Sequence, residues 1–208
     1  MLMCKEKMTA SRSEKIIEIR EGNRVFYGGN QEWFKDKALQ KVGCSIVAAS
    51  NLIAYKALKD NNEKLFNFKD ESKGNFLKLM DSVGEYLVPD EGIGIISTLY
   101  FIDRMKNYFK DKNIKVNPKW ITTEYDFEEF ENFIYREVKE DKPLLLMILR
   151  NFKLREVDWH WMTITRIFKC NDIVYINIST WGEKRVVRLY DLYLYSSYAS
   201  IISFWLLF

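Results

Sequence analysis

The feature that most constrains this chain is a change of texture at Pro143. Before it, apolar residues recur at helical spacing; after it, they come in short runs and alternations separated by turn residues. Helical stretches are expected from Cys44 to about Leu58, from Asn75 to about Leu87, from Ile95 to about Lys110, and from Asp126 through Val138, with Asp126 as a cap. Leu144–Leu149 reads as a buried strand. Trp159–Phe168 and Ile173–Ile178 form a hairpin around a turn at Lys169–Asp172, Arg185–Leu189 is a further strand, and the apolar tail from Ile201 a last one. Helices first and strands second, with no alternation, predict an α+β fold rather than a doubly wound sheet.

At 208 residues, 48% hydrophobic and 29% charged, the chain has the makings of one globular domain spanning 1–208, its polar first 13 residues forming a loose tail. A domain of this size buries roughly 70% of its unfolded surface and folds without a staple. Thirty-two basic residues against 29 acidic ones, evenly spread, exclude the concentrated basic face that nucleic acid requires. The chain has a single histidine, His160, which leaves no multi-histidine zinc site; neither metal nor cofactor is expected. Three cysteines, Cys4, Cys44 and Cys170, form no close pair, so no disulfide framework and a reducing compartment are expected. No apolar stretch at the start suits a signal peptide, and the tail is far short of the ~20 residues that span a bilayer. The expectation is a cytoplasmic protein without a membrane partner.

Cys44 falls where a helix begins, directly after Gly43. There the helix dipole favours thiolate over thiol, so a lowered thiol pKa is expected. His160, in Asp158-Trp159-His160-Trp161-Met162, lies on a strand, and it is the one imidazole that could serve the cysteine. Each residue also has a plain structural reading, a small residue at a tight helix start and a core histidine. Asp126, Glu128, Glu129 and Glu131 make a solvated helix face, and Gly92-Ile93-Gly94 lacks the third glycine of a dinucleotide motif.

Three short motifs carry a resemblance: Gly43-Cys44-Ser45-Ile46-Val47-Ala48-Ala49, then His160-Trp161-Met162-Thr163-Ile164, then Ser179-Thr180-Trp181-Gly182. Together they resemble the papain-like cysteine peptidases, nearest the bacterial branch that includes bacteriocin-leader-processing peptidases. The resemblance runs from about Gly28 to Leu189 and is specific only at those three places. It implies a nucleophile-bearing helix packed on an antiparallel sheet that carries the histidine. It also implies hydrolysis of a peptide or isopeptide bond in a peptide or protein substrate, through a thioester. Cys44 would be nucleophile and His160 general base, then acid. The chain departs from the family at Ser45, where glycine is common, and at the third position, where Asn or Asp precedes the aromatic-glycine pair. Ser179 stands there, with Asn177 two residues earlier. A turn over Lys169–Asp172 would pair Met162 with Ser179 and His160 with Trp181. Ser179 is then the diagonal neighbour of His160, and Asn177 lies roughly 7 Å farther along. The family's oxyanion glutamine has two counterparts, Gln40 and Gln31, of which the glycine-flanked Gln31 better suits a loop beside the site. Two alternatives stay open: a catalytically weak relative that binds peptides, and a thiol acyltransferase or amidase.

Overall fold

The computed structural model describes residues 14, 16–67 and 70–207. Cys4 lies outside them, as does the tail expected over the first 13 residues. A two-stranded hairpin, β1 (Glu18–Glu21) and β2 (Arg24–Tyr27), leads to four helices: α1 (Lys37–Val42), α2 (Cys44–Lys59), α3 (Lys73–Gly84) and α4 (Thr98–Asp111). Then follow β3 (Lys115–Thr122), α5 (Phe127–Lys139), β4 (Leu144–Asn151), β5 (His160–Cys170), β6 (Ile173–Thr180), β7 (Glu183–Arg188), α6 (Leu189–Tyr195) and β8 (Ser196–Leu207). The six later strands form one antiparallel sheet in the order β3-β8-β4-β5-β6-β7. The α+β expectation therefore holds.

The sheet is covered on both faces, which explains the unbroken apolar run of β4. Leu145 and Met147 pack with Trp161 and Ile202 against α2, α3 and α4 through Ala49, Ile53, Leu79, Phe101 and Met105. Leu144, Leu146 and Ile148 face the other way, with Met162, Ile164 and Ile201, against Phe130 and Ile134 of α5 and Leu192 of α6. A strand alternates its side chains between faces, so a strand buried on both must be apolar throughout. Pro118, which has no N–H to donate, sits in β3 at the sheet edge, the position a strand proline requires.

α2 is apolar on nearly every side because it lies between the sheet and α3; Ala48, Ala49, Ala54 and Ala57 keep its surface low. Gly43 caps α1 and opens α2, and a Cβ there would fall 2.5 Å from the Leu39 carbonyl oxygen, so only glycine lets the two helices meet so closely. Asp126 caps α5, accepting from the Glu129 N–H as expected. Among the described residues no helix is long and apolar enough to cross a membrane. Cys170 is disulfide-bonded, while Cys44 is free. This corrects the expectation of three unpaired thiols: an odd count leaves one thiol over without forbidding one bond.

Candidate active site

No side chain caps α2, because the residue before Cys44 is a glycine. The backbone N–H groups of Cys44 and Ser45 at the helix start, and that of Trp161 next to His160 on β5, favour the thiolate form of Cys44. Cys44 and His160 line one cleft together with Gln31, Asn51, Thr180 and Trp181. Each of the two is 7% exposed. The cleft encloses about 10 Å³, which is at the lower limit for a single water.

His160 opens β5 opposite Ile148 of β4. Its Nε2 lies 2.7 Å from the Thr180 hydroxyl, and its ring stacks on Trp181 at 4.8 Å between centroids and 4° between planes. Trp181 reaches that position through a two-residue turn between Thr180 and Glu183, in which it and Gly182 adopt φ of +55° and +72°. An indole in the left-handed region is strained by roughly 1 kcal/mol or more, so the surroundings must hold it there. They do: Gly182 donates to the Gly29 carbonyl and accepts from the Tyr27 N–H.

The same loop brings in Gln31. Gly28 has φ +84°, and a Cβ there would lie 2.3 Å from the Ser179 hydroxyl and 2.8 Å from Asn51 Oδ1. Asn51 of α2, 5% exposed, accepts from the Gly29 N–H and donates to Thr163 and Ser179. One buried amide thus fastens the loop, the nucleophile helix and the sheet together. The signal in the sequence was a lone asparagine in an otherwise apolar helix, and nothing in its spacing distinguished it.

The hairpin register corrects the expected one. The turn is the two residues Asn171 and Asp172, both at positive φ, as an Asn-Asp pair permits, and a bulge follows between Ile164 and Arg166. Thr163, not Met162, therefore faces Ser179. A one-residue slip exchanges the faces, and Thr180 takes the place expected for Ser179 beside His160. Ser179 instead donates to the Tyr27 carbonyl at 2.6 Å and accepts from Asn51. The Asn177 amide nitrogen donates to Glu14 at 2.8 Å.

Of the two glutamines, Gln31 lies on the cleft, 4% exposed. Its amide donates to the carbonyls of Gln40 and Lys41 at 2.9 and 3.2 Å. Gln40 binds the Glu32 and Phe34 carbonyls and accepts from Lys37, which makes it a brace of the α1 region.

Electrostatics reverse the expectation for the thiol. Burial pushes Cys44 up to about 11, outweighing the three N–H groups that favour the thiolate. Burial pulls His160 down to about 4, aided by the positive charge of Arg185. A helix start lowers a thiol pKa only where solvent or a counter-charge shares the load, and the closed cleft supplies neither. The resting pair is neutral thiol and neutral imidazole. Burial thus disfavours both charged forms, and the cleft as it stands has no room for a substrate.

No family model matches the chain, and no curated protein does. The structure is similar to the crystal structure of UfSP from C. elegans, with a TM-score of 0.53 and 9% sequence identity over 94% of this chain and 35% of that one. The chain thus spans about a third of the length of the structure it matches. UfSP is a cysteine protease of the papain-like fold, and at this identity the likeness establishes the fold: helices packed on an antiparallel sheet in the papain-like manner.

Proposed function

We propose that this chain is a cysteine peptidase that hydrolyses a peptide or isopeptide bond through a thioester on Cys44. The observation that carries the reading is the meeting, in one cleft, of a free cysteine at an uncapped helix start and the chain's only histidine, its ring held by a hydroxyl and an indole.

Opening of the cleft rehydrates the pair and admits the substrate. The Cys44 sulfur attacks the carbonyl carbon while its proton passes to the Nδ1 of His160, the nitrogen not bound to Thr180. The carbonyl oxygen, now negative, is stabilised by the Cys44 N–H and by Gln31, which must release one of its two carbonyls to donate. The C–N bond breaks, the departing amine takes the proton from His160, and an acyl thioester remains. Water, deprotonated by His160, then hydrolyses the thioester and restores the thiol. Cys44 must be free for this, and it is. Leader-peptide processing is the narrower form of the same reading.

A second reading, a relative that binds peptides without cleaving them, draws support from the closed cleft and the neutral pair. One experiment separates the two. Wild type, Cys44→Ala and His160→Ala are incubated with a peptide library and new termini are counted by mass spectrometry. The peptidase reading expects cleavage by wild type alone; binding without cleavage by all three supports the relative.

A further inference from the structure

Trp181 and Thr180 hold His160 in different ways. A stacked indole fixes the plane of the ring, but leaves open which nitrogen faces which neighbour. The hydrogen bond at 2.7 Å to the Thr180 hydroxyl, 3% exposed, decides that by engaging Nε2. Thr180 closes β6 immediately before the strained Trp181, so turn and bond are set by one short piece of backbone.

We infer that Thr180 is the positioning residue of His160: its hydroxyl accepts the Nε2–H, and Nδ1 is thereby the bare, basic nitrogen of the resting ring. This rests on the peptidase reading for its consequence in catalysis, though not for its test. An amide or carboxylate oxygen in this place could only accept, and would lock the tautomer. A hydroxyl can also donate. Donation would leave the proton on Nδ1, and a ring in that form has no lone pair to take the thiol's proton. Thr180 therefore positions the ring while giving the imidazolium no counter-charge, and the charged neighbour that does act on the ring, Arg185, is positive. The other titratable group on the cleft is the neutral Cys44 thiol.

Because His160 is the only histidine, protein grown on ring-¹⁵N histidine gives a single pair of ring signals, in which protonated and bare nitrogens are easily told apart. In wild type at pH 7, Nε2 is expected protonated and Nδ1 bare. Thr180→Val, which keeps the shape and removes the hydroxyl, is expected to mix the tautomers, and Thr180→Ser to restore the wild-type pattern. Thr180→Val is also expected to lower kcat about 3- to 10-fold, the loss of one neutral hydrogen bond, with KM unchanged. A wild-type ring protonated on Nδ1 overturns the inference even if the valine variant does not fold. So does a folded valine variant whose ring signals match wild type. If the signals behave as expected while no protein cleaves any peptide, Thr180 keeps its role and the peptidase reading fails.

Discussion

The reactivity of Cys44 toward iodoacetamide follows directly from its burial. With the thiol at about 11, the thiolate fraction at pH 7 is about 0.01%, against about 1% at the ordinary value of 9.0. A more basic thiolate is a better nucleophile, which returns close to a factor of ten over that two-unit difference. Alkylation at neutral pH should then run about tenfold slower than for an exposed thiol, before counting the opening that a 7% exposed residue needs. The shape of the pH profile decides the matter better than the amplitude. The rate should climb close to tenfold per pH unit from 7 to about 10, as the neutral thiol ionises. Peptide mapping isolates Cys44, since Cys170 is disulfide-bonded. A rate already on a plateau at pH 6 would mean a thiolate–imidazolium pair in the resting protein, and would refute the argument that desolvation outweighs the helix start.

Three further outcomes are expected. The folded His160 holds its proton only below about 4 and the unfolded one below about 6.5, so the unfolded state binds more protons between these values and stability falls as pH drops through that window; the loss is about 2 kcal/mol by pH 5, read as a melting difference of about 4–8 °C that His160→Gln abolishes, and equal pH dependence in both proteins would place the ring in solvent. Gln31→Ala should lower kcat at least about tenfold while Gln40→Ala stays within about threefold, because only Gln31 lines the cleft; the reverse order would move the oxyanion donor to Gln40. Asn51→Ala should cost about 2–4 kcal/mol in urea unfolding, since it strands the buried Gly29 N–H and removes the amide donated to Thr163 and Ser179; a loss under about 1 kcal/mol would show that the loop's other hydrogen bonds, from Ser179 and through Gly182, suffice to hold it.

Much of this was readable from residues in order along the chain. Apolar spacing and the break at Pro143 give the helices and the sheet, because burial on one or two faces writes itself into periodicity. The start of α2 is legible in Gly43-Cys44, and the turn that carries Trp181 in the aromatic-glycine pair. β3 escaped detection because an edge strand with a proline and four polar residues has no clean alternation. The short α1 and α6 are too brief to establish a period. Which hydroxyl of β6 lies beside His160 turns on a single residue of register: a two-residue turn in place of a four-residue one, and a bulge, put Thr180 there instead of Ser179. The thiol departs from expectation for a different reason. Position at a helix start is local, whereas desolvation depends on what the rest of the fold packs around the sulfur, and no spacing reports it.

The central claim is that a substrate acyl group passes through the Cys44 sulfur. Wild-type protein mixed with a peptide it cleaves, quenched in acid within milliseconds to seconds and measured by intact mass and peptide mapping, tests this most directly. The account predicts a transient adduct with the mass of the acyl fragment, on Cys44, absent from Cys44→Ala and decaying as free product appears. Cleavage that proceeds without such an adduct, and equally well in Cys44→Ala, would contradict it.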